Sequence, residues 1–361
     1  MNTVKSSRLL RLAGGLTAAA CLLLLSAPSR AEGFNTPGNI LIADQFNNRV
    51  IEIDRKHNIV WQFGDGSSVA GPGSVVAPND AERIGKFTLI AGTGAPAGSE
   101  ASCGGGCQDN RVILVNRKGR IVWQYGQAGD AGAGDDQLNT PVFAAYLPNH
   151  DVLITDQGNA RVIEVNKRHQ IVWQYGTTGV TGAGPNQLNN PNSSVLLENG
   201  NVLIADENNN RVIEVNRAKQ VVWQYGSPSD TATLNGAAFA SRLPNGDTLI
   251  TDSNNNRIVE IDSAKKLVSS YITNTRPGSV ASPLPTRAVR LRSGNTLISD
   301  QFNGQVIEIN GSQTIVFSQG QIGVNGNGPG QLNAPYDAKV IGDYTGLTPP
   351  FGEPFDDEGD D

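Results

Sequence analysis

Short apolar segments bounded by polar turn residues recur along most of the chain. In the clearest copy they occupy residues 202–205, 211–215 and 221–225, and Val and Ile are frequent in all three. Segments this short, rich in β-branched residues and separated by Asn, Asp and Gly, predict β-strands rather than helices. We label them strands B, C and D of one repeating unit.

A weaker pattern precedes strand B in most copies and predicts a further strand, strand A. It consists of a proline, two variable residues, a small residue, two more variable residues and then Leu or Ile. It occurs at residues 141–147, 191–197, 285–291 and 335–341. Each unit is therefore expected to form a four-stranded antiparallel sheet.

Six copies of this unit fill residues 39–342, and the aspartates that end strand B in adjacent clear copies lie 46 to 50 residues apart. This period matches the blade of a β-propeller. We therefore predict an all-β fold, a six-bladed β-propeller of four-stranded antiparallel blades. Because the first copy begins directly at strand B, residues 335–341 are expected to supply its strand A and to close the ring, which removes the exposed sheet edges.

In most copies strand B ends in aspartate and strand C begins with arginine. The aspartates are Asp44, Asp156, Asp206, Asp252 and Asp300, and the arginines are Arg49, Arg111, Arg161, Arg211 and Arg257. The aspartate can cap the following turn, and the arginine can pair with it. Because both residues recur from blade to blade, we interpret them as architectural. The second copy departs from the pattern, with Gly92 at the aspartate position.

Two glycine-rich turns carry a family resemblance. Residues 182–191 and 327–335 both end in Gln-Leu-Asn, one variable residue and Pro, and an Asn-Asn-Arg-Val segment begins strand C in several copies. This pattern resembles the NHL repeat family over nearly all of residues 35–342. The resemblance implies a propeller that serves as a ligand-binding platform, as an RNA-binding module or, in a few branches, as a lyase. The Ile-Val-Trp-Gln-Tyr strands are also similar to those of bacterial arylsulfotransferase and quinoprotein-like propellers, which are exported.

Residues 1–31 have the three zones of a secretory signal peptide. Basic Lys5, Arg8 and Arg11 precede an apolar stretch over 12–27, and small residues, Ser29 and Ala31, occupy the cleavage positions. We expect cleavage near Ala31 and a periplasmic or secreted protein whose mature chain has no transmembrane span, because the apolar stretch is shorter than the roughly 20 residues that cross a bilayer. The mature chain would carry 24 basic and 34 acidic residues, which disfavours nucleic acid as a partner.

After cleavage, Cys103 and Cys107 would be the remaining cysteines. In an oxidising compartment an even, closely spaced pair predicts a local disulfide. Two thiols without a nearby histidine make a poor metal site. We therefore interpret the pair as a structural disulfide in a glycine-rich loop.

A site confined to one part of the ring should come from positions at which the blades differ. At the second position after the start of strand A, two blades carry Asp80 and Asp337, and a third carries Arg287. If these side chains face the central channel, the two carboxylates come from adjacent blades. With Asn79 and Asn192 they could hold a hard cation such as Ca²⁺ through oxygen ligands. The alternative is an ion-paired plug of the three charged residues. No other cofactor is predicted.

The leading functional interpretation is an exported NHL-like propeller over residues 32–345 that acts as a non-catalytic scaffold for a ligand or a protein. In a propeller the D–A and B–C connections share one face, and we expect the binding surface there. Residues 346–361 are predicted to form an acidic, mobile tail, and the protein is expected to be a monomer. Two alternatives stay open: a metal-dependent hydrolase or lyase of the gluconolactonase kind with Asp80 and Asp337 in its site, and a quinoprotein-like or sulfotransferase-like enzyme.

Overall fold

The computed structural model describes Met1 and residues 33–100 and 102–350. Contacts divide the chain into residues 1–30 and residues 31–361, and all of the described strands lie in the second unit. The predicted signal peptide and the part of the predicted tail beyond residue 350 lie outside the described residues. Within the described ranges, no helix is long and apolar enough to cross a membrane.

Over the described part of the chain, the periodic apolar segments form 24 β-strands. In the first half of the chain these are β1 (Ile40–Asp44), β2 (Arg49–Ile53), β3 (Ile59–Phe63), β4 (Pro78–Ile84), β5 (Phe87–Ala95), β6 (Cys107–Val115), β7 (Ile121–Tyr125), β8 (Pro141–Tyr146), β9 (Val152–Asp156), β10 (Arg161–Val165), β11 (Ile171–Tyr175) and β12 (Pro191–Leu196). In the second half they are β13 (Val202–Asp206), β14 (Arg211–Val215), β15 (Val221–Gly226), β16 (Ala237–Arg242), β17 (Thr248–Asp252), β18 (Arg257–Ile261), β19 (Leu267–Ile272), β20 (Arg287–Arg290), β21 (Thr296–Asp300), β22 (Gln305–Ile309), β23 (Ile315–Gly320) and β24 (Pro335–Val340). Short 3₁₀-helices follow strand B in every blade but the second: Gln45–Asn47, Gln157–Asn159, Glu207–Asn209, Ser253–Asn255 and Gln301–Asn303.

The strands form six four-stranded antiparallel sheets, the blades of a six-bladed β-propeller, and the predicted fold class is confirmed. Consecutive strands form blades 2 to 6: β4–β7, β8–β11, β12–β15, β16–β19 and β20–β23. Blade 1 joins β24 to β1, β2 and β3, and Ala338 of β24 pairs with Ile42 of β1. The last strand of the chain therefore closes the ring by completing the first blade, as predicted.

A left-handed backbone residue ends the turn between strands B and C in five blades. Asn48, Asn210 and Asn256 adopt this conformation with φ between 49° and 52°, and Ala160 and Gly304 do so in the remaining two. Asparagine tolerates positive φ better than most residues because its short polar side chain bonds locally. The asparagine-rich turns of the sequence therefore follow from the geometry of this connection.

The apolar core lies between the blades. Leu89 and Leu114 of blade 2 and Ile154 of blade 3 belong to one buried cluster. Trp61 of β3 donates a hydrogen bond from Nε1 to the carbonyl of Arg117, in the C–D turn of the next blade, at 3.0 Å. Each blade therefore buries an apolar face against its neighbour, and the ring is held together by these contacts.

Residues that follow the ring pack against the face that carries the A–B and C–D turns. The Tyr344 hydroxyl donates to the carbonyl of Arg83 at 3.0 Å. Thr348 Oγ1 bonds both the N–H and the carbonyl of Leu196 at 3.1 Å. Leu347 borders a small cavity in the channel. Residues 346–348, which the sequence prediction placed in the tail, are therefore packed against the propeller.

Candidate functional site

The repeated Asp–Arg pair is buried where strands B and C end and begin. In blade 4, Asp206 Oδ2 accepts hydrogen bonds from Arg211 Nε and Asn209 Nδ2, both at 2.7 Å. Its Oδ1 accepts the backbone N–H of Asn189, in the preceding D–A connection, at 2.8 Å. Burial raises the pKa of Asp206, and Arg211 partly offsets this. The aspartate thus ties the loop to the blade and does not form the turn cap that we expected, since the following 3₁₀-helix has no side-chain cap.

Three other blades repeat this arrangement at 2.6 to 2.7 Å: Asp44–Arg49, Asp156–Arg161 and Asp252–Arg257. Blade 6 reaches it with a different cation. Gln305 stands at the arginine position, and Arg276 from the preceding loop binds Asp300 instead. In blade 6 an arginine from another segment thus replaces the one that strand C lacks. The ion pair itself is kept, which indicates that it stabilises the blade.

Blade 2 reaches the same arrangement with a different carboxylate. Asp109 of β6 binds Arg111 Nε at 2.6 Å and accepts the N–H of Val76, in the preceding loop, at 2.6 Å. A Cβ atom on Gly92 would lie 2.5 Å from Asp109 Cγ. The glycine at the expected aspartate position therefore makes room for the replacement.

The channel brings together the two carboxylates that the sequence singled out. Lys339 Nζ lies 2.6 Å from Asp80 Oδ1, 2.6 Å from Asp337 Oδ2 and 3.0 Å from the carbonyl of Ala81. The ammonium thus occupies the position between the carboxylates where a bound cation would lie. This corresponds to the ion-paired alternative, with Lys339 as the main cation. Lys339 was missed, although it lies two residues after Asp337 and so shares its face of the strand.

Arg287 comes from blade 6, next to blade 1, and its guanidinium extends across the channel to blades 3 and 4. Its Nη1 donates to Asn192 Oδ1 at 3.1 Å, and its Nη2 donates to the carbonyl of Val142 at 3.2 Å. The guanidinium carbon lies 5.2 to 5.5 Å from the ring centres of Phe143, Phe239 and Tyr336. Arg287 Nε is 3.9 Å from Asp337 Oδ1, beyond hydrogen-bonding distance. The predicted partner of Asp337 is therefore held mainly by amide, carbonyl and aromatic groups.

Burial changes the ionisation of the channel carboxyls. It raises the pKa of Glu82 to about 8, so this side chain is mostly neutral at pH 7. Burial also raises the pKa of Asp80 to about 6, although Lys339 opposes the shift. Asp80 and Asp337 thus share the channel with two basic side chains, Lys339 and Arg287. Within the described residues, no three His, Cys, Asp or Glu side chains form a group that could hold a metal ion.

An open cavity of about 560 Å³, which we call the bowl, lies above the charged side chains. It opens on the face of the D–A and B–C connections. Its wall is rich in primary amides: Gln45, Asn79, Gln108, Gln157, Asn190, Asn192 and Gln301. Phe46, Phe302 and Tyr336 add aromatic surface, and Glu207 adds a carboxylate. Asn79 and Asn192, two of the predicted ligand-binding residues, therefore line the bowl. Asp80, Arg287 and Asp337 do not border it.

One set of amides connects three blades across the bowl. Gln301 Nε2 donates to Gln45 Oε1 at 2.9 Å, and Gln45 Nε2 donates to Asn79 Oδ1 at 2.7 Å. These residues come from blades 6, 1 and 2. The chain of hydrogen bonds fixes the orientation of amide groups that both donate and accept.

Glu207 begins the 3₁₀-helix of blade 4 and faces the bowl, half-buried. Its Oε2 accepts Asn190 Nδ2 at 3.1 Å and Asn192 Nδ2 at 2.8 Å, and Asn192 Nδ2 also lies 2.8 Å from the Tyr336 hydroxyl. Burial raises the pKa of Glu207. Sequence reasoning missed this residue because it compared the blades along strand A only. The position after the repeated aspartate also varies: it is Gln45, Gln157, Glu207, Ser253 or Gln301.

The hairpin of blade 2 forms one side of the bowl. Strands β5 and β6 have nine residues each, against five for strands B and C of the other blades, and residues 94–97 and 105–108 border the cavity. The predicted disulfide between Cys103 and Cys107 is present near the hairpin tip. The irregular second copy of the repeat thus builds a wall that the regular copies lack.

Comparisons with known proteins support the fold and name a family. The sequence model of the family described as outer membrane protein assembly factor BamB matches residues 33–269 and 108–322. A protein of unknown function from Bacteroides caccae has a similar structure, with a TM-score of 0.55 and 17% identity over 78% of this chain and 93% of that one. A streptogramin B lyase gives a TM-score of 0.51 and 14% identity over 77% of this chain and 78% of that one. At these identities both likenesses show the fold alone. No curated protein matches the chain.

The family match bears on the resemblances drawn from the sequence. It agrees with the similarity to quinoprotein-like propellers, whereas the NHL repeat assignment stays a prediction. The first match alone covers well over half of the chain. The chain therefore belongs to the family described as outer membrane protein assembly factor BamB.

Proposed function

We propose that this protein is an exported, non-catalytic scaffold that binds a partner protein through the bowl and the loops around it, in the assembly of outer membrane proteins. The family description supports the process, and the signal-like segment over 1–31 supports a periplasmic location. The observation that carries the proposal is the bowl itself, a wide opening lined by oriented amides and aromatic rings on the loop face. Such groups recognise peptide backbone and polar side chains.

The charged residues below the bowl support binding over chemistry. Lys339 pairs with both channel carboxylates, Asp80 also accepts the N–H of Ala144 at 3.3 Å, and Asp337 accepts the N–H of Ala81 at 3.2 Å. Each channel carboxylate is thus bound by the Lys339 ammonium and by one backbone N–H inside the ring. A metal-dependent hydrolase or lyase would have to displace the Lys339 ammonium from the carboxylates that it now joins.

Site-specific photo-cross-linking in the native cell tests the proposal. The photoreactive residue p-benzoylphenylalanine replaces Phe302, which borders the bowl, or, as the matched control, Glu198, which is exposed on the opposite face. We expect position 302 to cross-link discrete proteins of the outer membrane assembly pathway, identified by mass spectrometry, and position 198 to give none of them. Equal products from both positions, or none from position 302, would contradict the proposal.

N-terminal sequencing of the protein recovered from the cell envelope tests export separately. We expect a mature chain that begins close to residue 32. A protein that retains Met1 and remains in the cytosol would rule out the proposed location.

A further inference from the structure

The bowl is bordered by one carboxyl group and by no basic side chain of the described residues. Among the described residues that border it, Glu207 is the only Asp, Glu, Lys, Arg or His. Below it, Asp80 and Asp337 face Lys339 and Arg287. At the mouth of the channel, the Glu207 carboxyl group therefore has no basic side chain beside it in the bowl wall. Arg287 is near enough to lower the pKa of Glu207, but burial outweighs this effect.

The carboxylate of Glu207 is held in place with one oxygen turned to the cavity. Asn190 and Asn192 both donate to Oε2, so the side chain is fixed from one side. From the residues that the structure describes, Oε1 receives no hydrogen bond, and the side chain is half-buried against the bowl. A carboxylate oriented in advance loses little conformational freedom when it binds a ligand.

Aromatic rings and amide groups line the same cavity as Glu207. Phe46, Phe302 and Tyr336 border the same cavity, as does the amide of Gln157. Ring faces attract ammonium and guanidinium groups, and amide oxygens accept their N–H donors. A desolvated carboxylate binds such a cation through charge-assisted hydrogen bonds. The cavity, at about 560 Å³, has room for a long side chain and its backbone.

We propose that Glu207 and the surrounding wall of the bowl bind the basic side chain, lysine or arginine, of a loop that a partner protein inserts. This inference rests on the proposed function and deepens it by naming the chemistry of the contact. A surface that binds acidic peptides would instead need basic side chains at the mouth of the channel. A free alkylamine shares the same chemistry, and the test separates the two sources.

Calorimetry with small blocked amino acids tests the site on the full mature chain. The probes are Nα-acetyl-lysine N-methylamide and its arginine counterpart, with the norleucine and citrulline analogues as neutral controls and cadaverine as the free amine. We expect at least one blocked basic probe to bind and both neutral analogues to fail. Glu207→Gln should weaken binding by about tenfold or more, the loss of one charge-assisted hydrogen bond. Glutamine keeps an oxygen for Asn190 and Asn192, so the variant should fold. Glu198→Gln, on the opposite face, should bind as the wild type does.

Three results would overturn the inference: no binding of either blocked basic probe, equal binding by Glu207→Gln, or equal binding of the norleucine analogue. Tighter binding of cadaverine than of the blocked probes would overturn the assignment to a partner side chain. Cross-linking from position 302 in the Glu207→Gln background separates this inference from the proposed function. If the same cross-linked products form with Glu207→Gln, the proposed scaffold function stands and the contact between Glu207 and a basic side chain is rejected. If no products form with either the wild type or Glu207→Gln, the proposed scaffold function is rejected.

Discussion

At the scale of the residue, the Asp–Arg pair shows how burial and charge combine in each blade. Asp206 is fully buried, and the Arg211 side chain is only 6% exposed, whereas that of Arg257 in the equivalent pair is 27% exposed. An ion pair that is cut off from water depends on its partner much more than one that water can screen. The same pair should therefore contribute unequally in different blades.

Arg211→Met should lower the free energy of unfolding by about 3 kcal/mol, because it leaves the Asp206 carboxylate buried without its cation. Arg257→Met, the matched control, should cost clearly less, because water can partly replace the more exposed guanidinium. Urea unfolding followed by tryptophan fluorescence measures both. Equal losses would mean that exposure does not decide the contribution of the pair.

Because of Glu82, we expect the stability of the folded protein to fall as the pH rises. Its pKa in the folded protein is about 8, above its ordinary value of 4.5, because burial disfavours the charged form. Between those values the unfolded chain has released the proton and the folded protein still holds it, so stability falls as pH rises from about 5 to about 8. Glu82→Gln keeps an acceptor for the N–H of Tyr146 and should flatten this decline. Melting temperatures of both proteins across this range measure the effect, and parallel curves would contradict it.

Sequence reasoning identified some residues of the site and missed others for a physical reason. The proline that heads strand A fixed the register, so Asp80, Asp337 and Arg287 could be placed in the channel. The same alternation could have revealed Lys339. Glu207 could not be found from strand positions, because it lies in the turn that follows strand B, where side-chain direction depends on the turn geometry.

At the scale of the element, the hairpin of blade 2 is the main departure from the repeat. The sequence showed that Gly92 replaces the usual aspartate, but it could not show that Asp109 takes over the role. That replacement depends on pairing between β5 and β6, where Gly92 lies opposite Arg111. A one-dimensional repeat pattern does not contain this contact.

Gly92→Ala should therefore destabilise the protein. The new Cβ would lie 2.5 Å from Asp109 Cγ, inside a buried ion pair that has little room to shift, and overpacking of this kind costs roughly 1 to 3 kcal/mol. Gly311→Ala is the control, because a Cβ atom there meets nothing within 4 Å. Thermal melts compare the two variants. If the Gly92→Ala protein has the same melting temperature as the wild type, the hairpin can relax around the added methyl group.

At the scale of the whole molecule, the ring was predictable and the bowl was not. Six copies of the repeat, one of them irregular, and a missing first strand A were enough to derive the propeller and its closure by β24. The bowl arises where turns from several blades meet the long hairpin, and this convergence has no signature in any single copy. The family description supports the proposal that this surface acts in the assembly of outer membrane proteins.

The ion-paired channel predicts that added metal leaves stability unchanged. A cation at 100 times its dissociation constant would stabilise the folded state by about 2.7 kcal/mol, which a melt detects easily. Because the Lys339 ammonium already lies between Asp80 and Asp337, we expect the same melting temperature with EDTA and with millimolar Ca²⁺, Mg²⁺ or Zn²⁺. A rise with one cation that Asp80→Ala and Asp337→Ala both abolish would favour the metal-dependent enzyme instead.

The central claim, that the bowl binds the partner, is tested most directly by complementation. In a strain that lacks the protein, we would measure the amount of folded β-barrel protein in the outer membrane after expression of the wild type, of a Glu207→Gln/Phe302→Ser variant or of Glu198→Gln. All three must first show equal levels and equal melting temperatures. The account predicts that the wild type and Glu198→Gln restore the amount and that the bowl variant does not. Full restoration by the bowl variant would contradict it.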